Sequence, residues 1–167
     1  ITGGKKISKI SLNGIELDET TMQARLATGA GGYRISGTRL YIYPDKRVGV
    51  GESINIDIEW TFKIPRQGAS GRMGRSRDNL YMIAYWYPQI AVYDDVYGWM
   101  DDSFLGNAEF YHEFSDYELS VTAPGNWIVM GTGEFLNPEE TLSPATLERY
   151  TLAGNSDSTV VIVDFNE

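Results

Sequence analysis

The clearest pattern in the sequence is an alternation of apolar and polar residues over positions 52–64. From Ile54 to Ile64 every second residue is apolar, and each residue between them is polar or charged. Successive side chains of a β-strand point to opposite faces, so this alternation predicts a long strand with one buried and one solvated face. Such a strand is typical of an antiparallel sheet.

Shorter apolar segments surround two tight turns. Asn13-Gly14 lies between two such segments and predicts a two-residue hairpin turn. Residues 33–35 and 39–43 flank the sequence Ser-Gly-Thr at 36–38 and predict a second hairpin. Further strands are expected at residues 80–85, 117–123, 127–130, 147–152 and 159–165.

Helical signals are sparse. Only residues 18–27 and 143–149 are expected to form a turn or two of helix. Short strands separated by Pro and Gly, without alternating helices, predict an all-β fold, an antiparallel β-sandwich with little helix. The 167 residues, 42% of them hydrophobic, favour a single domain over residues 1–167. No run of about 18 apolar residues is present, so no membrane span is expected.

Charge is distributed unevenly along the chain. Residues 1–79 carry 13 Lys and Arg against 8 Asp and Glu, whereas residues 80–167 carry one against 15. This asymmetry indicates either an acidic surface that attracts a cationic partner or an ordinary solubilising surface, and it argues against nucleic acid as a partner. Within the basic half, residues 66–79 are rich in Arg and Gly and are expected to form an exposed, mobile loop.

The chain lacks the ligands of the common zinc sites. Cysteine is absent, and the single histidine opens the sequence His112-Glu113-Phe114-Ser115-Asp116. The H-E-x-x-H motif of zinc peptidases requires a second histidine where Asp116 stands. No G-x-S-x-G sequence accompanies His112, so a serine hydrolase triad is not indicated either. The absence of cysteine fits a cell-envelope compartment and a cytosol equally well.

Paired carboxylates form a second group of candidates. Asp94-Asp95 and Asp101-Asp102 bracket a short aromatic stretch, and Glu109 and Glu113 follow. These acids are interpreted as turn residues, as a calcium site, or as the acid and base of a glycosidase.

Aromatic residues are concentrated in the same region. Eleven Phe, Tyr and Trp residues fall between positions 81 and 114. They are interpreted either as core with its covering loops or as an amphipathic surface for a partner or a sugar.

Several segments, taken in order, resemble the N-terminal domain of the aminopeptidase N-type zinc metallopeptidases. They are Gly51-Glu52 before the alternating strand, Trp86-Tyr87-Pro88, Tyr93-Asp94-Asp95, Asn107-Ala108-Glu109-Phe110, the sequence DYELSVTAP at 116–124, residues 127–134 ending in Gly-Thr-Gly-Glu, and Val163-Asp164-Phe165. The resemblance covers residues 50–167 through these motifs and residues 1–49 only through their general strand pattern.

The resemblance implies a saddle-shaped β-sandwich that forms one wall of a peptidase substrate cleft, with its first strands expected before Ile1. It implies no cofactor in this chain and zinc in a catalytic domain of the same polypeptide. The family's amino-group anchor, a Gln or Glu before the proline, is missing here, and Gln89 follows the proline instead. Candidate cleft or interface residues are Trp86, Tyr87, Pro88, Gln89, Tyr93, Asp94, Asp95 and Trp99.

The expected partners are therefore that catalytic domain and a peptide substrate. Two other interpretations remain open on the sequence alone. One is a free-standing β-sandwich that binds a glycan or a peptide on an aromatic and acidic surface, and the other is a structural spacer.

Overall fold

A computed structural model describes residues 4–66, 73–76, 80–103 and 111–164. Contacts within the chain divide it into two compact units, Ile1–Phe114 and Ser115–Glu167. The elements of the first unit are β1 (Lys6–Leu12), β2 (Ile15–Glu16), α1 (Met22–Thr28), β3 (Gly32–Ser36), β4 (Arg39–Tyr43), β5 (Ile56–Thr61), β6 (Gly74–Ser76), β7 (Leu80–Met82), β8 (Tyr93–Asp94) and β9 (Gly98–Trp99). The second unit contains α2 (Pro138–Thr141) and α3 (Pro144–Gly154).

The largest sheet has three antiparallel strands in the order β2-β1-β5. β1 and β2 are joined at Asn13 and Gly14, whose φ angles of 49° and 80° are those of a type I′ turn. The predicted first hairpin is therefore confirmed. β5 lies on the other side of β1, with Leu12 opposite Ile56 and Lys6 opposite Thr61.

The alternation that predicted β5 is confirmed by burial, although the strand is shorter than expected. Polar residues from Ser53 to Lys63 are exposed, whereas the apolar positions between them are partly buried except Ile56, which is 37% exposed. The strand begins only at Ile56 because the preceding residues form a turn in which Gly49 donates its N–H to the Glu52 carboxylate (2.7 Å).

The buried core of the first unit is small and centres on β1. Ile10 is 1% exposed, and Leu12 and Val92 are also buried. Ser11 is buried as well, and its hydroxyl donates to the Asp57 carboxylate on β5 (3.1 Å). That bond satisfies the polar group that burial would otherwise leave unpaired.

The second predicted hairpin is also confirmed. β3 and β4 pair from Gly32 opposite Tyr43 to Ser36 opposite Arg39. Gly37 begins the two-residue turn with φ 62°, which a glycine adopts without steric cost. Asp18 and Thr20 hydrogen-bond to the outer edge of β3 at Tyr33.

Part of the Arg/Gly-rich segment 66–79, predicted as an exposed, mobile loop, forms a short strand. Gly74–Ser76 pair antiparallel with Leu80–Met82, and Arg66 forms an isolated bridge with Arg75. A strand requires only backbone hydrogen bonds, which Arg and Gly can supply despite a low β propensity. Residues 67–72 and 77–79 lie outside the described residues.

One segment of the second unit that was predicted as a strand is a helix. Residues 147–152, predicted as a strand, belong to the helix Pro144–Gly154. Ser143 caps this helix by accepting from the Thr146 N–H (3.2 Å), and Pro144 occupies the first turn. The turn or two of helix expected at 143–149 is therefore present, and the helix continues through the residues that were predicted as a strand. The segments 117–123, 127–130 and 159–164, also predicted as strands, are extended or irregular without strand pairing, and residue 165 lies outside the described residues.

The described residues thus form mostly strands in small antiparallel sheets, with little helix. No closed sandwich is present among them. The organisation of residues 1–167 as one domain stays a prediction. None of the helices in the described ranges has the length and apolar character needed to cross a membrane.

Candidate functional site

The aromatic segment after β7 is held by one side chain of the three-stranded sheet and one from the residue before it. The Lys5 ammonium donates to the carbonyls of Tyr85 (3.3 Å) and Tyr87 (3.2 Å), and the Trp60 Nε1–H donates to the carbonyl between them, that of Trp86 (3.1 Å). Three consecutive carbonyls are therefore bound from β5 and from the residue before β1. We call this arrangement the carbonyl clamp.

The clamp coincides with a strained backbone. Tyr85 has φ 54°, in the left-handed region that a bulky side chain rarely adopts. A residue in that region costs on the order of 1–3 kcal/mol and persists only where its surroundings fix it. The carbonyl clamp fixes the Tyr85 backbone in this way. Partial burial of Lys5 in the clamp removes some of its hydration, which lowers the pKa of its ammonium group.

Ring contacts extend the clamp to the predicted site residues. The Trp60 and Trp86 rings lie 6.0 Å apart at 31°, and Tyr87 meets Trp86 edge to face at 5.4 Å. Gln89 donates its side-chain N–H to the Tyr87 hydroxyl (3.1 Å). Trp86, Tyr87 and Gln89 thus form one local group that is anchored on β5.

The second local group is built on the β8–β9 hairpin. Its Asp94 carboxylate accepts the N–H groups of Val96 (2.9 Å) and Tyr97 (2.6 Å), which closes the turn, and also the hydroxyl of Tyr111 (3.1 Å). The interpretation of Asp94 as a turn residue is therefore confirmed. Met100 donates its N–H to the Val92 carbonyl and extends the pairing beyond the two strands.

These bonds change the acidity of both partners. The hydrogen bond from the Tyr97 N–H, with further bonds from Val96 and Tyr111, holds the pKa of Asp94 below its usual value. The same Asp94 carboxylate raises the pKa of the Tyr111 hydroxyl. Because the folded-state pKa of Asp94 is lowered, its contribution to stability is present above the pKa of the unfolded chain and is lost as pH falls through the folded value.

The hairpin presents aromatic rings to solvent. Tyr93 and Trp99 are opposite one another in the strand register, and their rings meet edge to face at 5.2 Å. Tyr93 is 64% exposed and Trp99 is 59% exposed. Tyr97 and Val96 at the tip are exposed further still. The two rings share one face of the hairpin, and Asp94, the next residue after Tyr93, closes its turn, so the hairpin carries both exposed apolar area and negative charge.

Seven of the eight predicted site residues therefore fall into two local groups. Trp86, Tyr87 and Gln89 belong to the carbonyl clamp with its ring contacts, and Tyr93, Asp94 and Trp99 belong to the hairpin. Pro88 is partly buried between these segments in sequence, and Asp95 is exposed in the hairpin turn.

The other acidic residues do not assemble into a metal site within the described ranges. Nowhere in the described ranges do three His, Asp or Glu side chains converge as metal ligands would. Asp101 instead contacts the β3–β4 hairpin, and Glu113 accepts the neighbouring Phe114 N–H. Glu109 lies outside the described residues.

Three residues of these groups were missed by the sequence analysis. Lys5 and Trp60 form the carbonyl clamp, and Tyr111 completes the Asp94 network. The alternation over 52–64 assigned Trp60 to the buried face but gave no sign of its polar contact. Comparisons with protein-family models, with curated proteins and with solved structures gave no significant match.

Proposed function

We propose that this chain is a non-catalytic, strand-rich domain of a larger zinc peptidase of the aminopeptidase N type, in which it forms one wall of the substrate cleft. The proposal is supported by the ordered series of motifs between Gly51 and Phe165. The described residues supply no zinc ligand set, so the proposal assigns the metal to a catalytic domain of the same polypeptide.

The observation that supports this role best is the exposed aromatic pair on a hairpin whose turn is fixed by a carboxylate. Tyr93 and Trp99 offer ring area in a geometry set by strand pairing, so little side-chain entropy is lost when a partner covers them. Asp94 is pinned by two N–H groups, and Asp95 next to it is exposed.

In this role the rings would contact the catalytic domain or an apolar side chain of the substrate. The carboxylates of Asp94 and Asp95 would attract the ammonium group of a peptide. The chain would bind and orient, and it would perform no bond cleavage of its own.

The test requires the full-length protein. Trp99→Ala should lower peptidase kcat/KM while the melting temperature stays within a few degrees of the parent, because the removed ring is mostly exposed. Trp127→Ala is the matched control, since it removes an indole from the second unit. Equal activity in the parent and in Trp99→Ala would refute the cleft role, as would a reading frame that contains no H-E-x-x-H sequence.

A free-standing binding module is the second candidate, and the same aromatic pair favours it. Exposed Tyr and Trp rings are suited to stacking on the apolar face of a sugar or on a peptide side chain. Titration of the 167-residue chain with oligosaccharides and peptides, followed by tryptophan fluorescence, tests this candidate. Saturable binding that is lost in Trp99→Ala would support it, and the absence of any saturable ligand would count against it.

A further inference from the structure

One face of the β3–β4 hairpin carries arginines and tyrosines without apolar residues between them. Arg34 lies directly opposite Tyr41, and Arg39 and Tyr43 precede and follow Tyr41 by two positions on β4. Side chains two positions apart on a strand share a face. Arg25 on α1 joins this face by lying over the Tyr43 ring. We call these five residues the Arg–Tyr face.

The arginines are stacked on the rings. The guanidinium carbon of Arg34 lies 4.6 Å from the Tyr41 ring centroid, that of Arg39 lies 5.7 Å from the same centroid, and that of Arg25 lies 4.7 Å from the Tyr43 centroid. Cation–π stacking holds the guanidinium plane while its N–H edges remain available to an acceptor. A fixed N–H fork is the geometry that binds carboxylates in a bidentate manner.

The Arg–Tyr face already binds one acidic residue of the chain. Arg39 donates to the Asp101 carbonyl (2.7 Å) and lies 3.7 Å from the Asp101 carboxylate. The Tyr41 hydroxyl donates to that same carboxylate (3.0 Å). An arginine and a tyrosine of this face together thus hold both the backbone and the side chain of an aspartate.

The remaining arginines have donors to spare. Arg34 is exposed, and within the described residues its contact is the Tyr41 ring rather than a hydrogen-bond acceptor. The Nε–H groups of Arg25 and Arg39 are buried without an acceptor in the described part of the chain, so a partner on the surface reaches these side chains only through their terminal N–H groups. Arg39 is paired with Asp101, whereas Arg25 and Arg34 have no acidic partner among the described residues, so positive charge is left at this face of a chain of net charge −9.

We propose that the Arg–Tyr face binds an extended acidic segment of a partner protein, with carboxylates at alternate positions. Tyr41 and Tyr43 are two residues apart on one strand, a distance of about 7 Å. Alternate side chains of an extended peptide have the same spacing, so two carboxylates can reach Arg34 and Arg25 together. The five residues of the face are not among the candidate cleft residues, and only Asp101, two residues after β9, connects the two regions, so this inference does not depend on the proposed peptidase role.

A peptide fits this face better than a nucleic acid. A guanidinium group lies over each tyrosine ring, where a base would otherwise stack. A long polyanion would also meet the acidic residues that dominate positions 80–167. A short acidic segment requires complementarity only at the face itself.

The experiment measures fluorescence anisotropy of a labelled eight-residue peptide of alternating Glu and Ser with the full 167-residue chain at low salt. The Glu peptide should bind saturably, whereas a matched Gln–Ser peptide should not. Arg34→Gln should weaken binding about fivefold, the upper range for an exposed ion pair. Lys63→Gln removes one exposed charge elsewhere in the same unit and should change the affinity by less than about 1.5-fold.

Arg34→Lys distinguishes the contribution of the planar, stacked guanidinium group to peptide binding from that of its positive charge. It keeps the positive charge but loses the planar fork, so binding should still weaken. The proposal fails if the Glu peptide does not bind saturably, or if Arg34→Gln and Lys63→Gln weaken it equally. It fails in favour of nucleic acid if a single-stranded oligonucleotide of the same charge binds more tightly and depends on Arg34.

Discussion

Trp60 offers the sharpest test of how the first unit is held together. Its indole is partly buried on the inner face of β5 and lies opposite Ile7. Full removal of a buried Trp side chain costs about 3–5 kcal/mol, and partial burial reduces this to about 2 kcal/mol. Loss of the hydrogen bond to the Trp86 carbonyl adds about 1 kcal/mol. Trp60→Ala should therefore lower the free energy of unfolding by about 3 kcal/mol.

Two neighbouring substitutions separate these contributions. Trp60→Phe keeps a ring but removes the Nε1–H donor, so it should cost about 1 kcal/mol plus the loss of packing. Glu59→Ala should cost less than about 0.5 kcal/mol because the Glu59 side chain is exposed and Ser8 bonds to its backbone carbonyl.

Urea denaturation, followed by tryptophan fluorescence and far-UV circular dichroism, gives the midpoint and slope for each variant. Equal losses for Trp60→Ala and Glu59→Ala would refute the assignment of the two faces of β5. A Trp60→Phe variant as stable as the parent would show that the hydrogen bond to Trp86 contributes nothing measurable.

Three further predictions concern local features. Asp94→Asn should return the pKa of Tyr111 toward its usual value, because the charged acceptor of its hydroxyl is removed. An NMR titration of the tyrosine rings in which the pKa of Tyr111 is the same in both proteins would contradict this. Gly14→Ala should destabilise the fold by about 1 kcal/mol, since φ at Gly14 is 80°. Gly131→Ala is the control, at a position with open space and without a positive φ, and it should leave the thermal melt nearly unchanged. Ser143→Ala should cost about 1 kcal/mol through loss of the α3 cap, and Ser143→Asp should retain stability; equal melting temperatures for the two variants would argue against the cap.

The parts of the fold that the sequence predicted well are those determined by neighbouring residues. The burial pattern around β5 follows from alternation, and the turns at Asn13-Gly14 and Gly37 follow from residues that tolerate positive φ. The strand prediction for residues 147–152 was wrong because their apolar pattern is compatible with a strand or a helix. The helix N-cap at Ser143 favours the helix.

The candidate site could be predicted only in outline. Aromatic and acidic composition selected the region of Trp86 and Trp99, and Asp94 was recognised as a turn residue. Lys5 could not be assigned to the same region, because its acceptors are 80 residues away in the chain. The Arg–Tyr face was missed for a similar reason, since it depends on strand register and on a helix that contributes Arg25.

The carbonyl clamp also orders events during synthesis. β1 cannot pair with β5 until β5 has been synthesised, and the Ser11 hydroxyl of β1 bonds to a residue 46 positions later. The hydrogen bond from Lys5 to the Tyr85 carbonyl forms later still, because Tyr85 must first be added to the chain. Local hairpins such as β3–β4 close early because their loops are short, whereas contacts distant in sequence form late and leave strand edges open meanwhile. The open edge of β1 therefore stays vulnerable to wrong pairing until β5 has been synthesised, and the aromatic segment is fixed on the nascent chain later still.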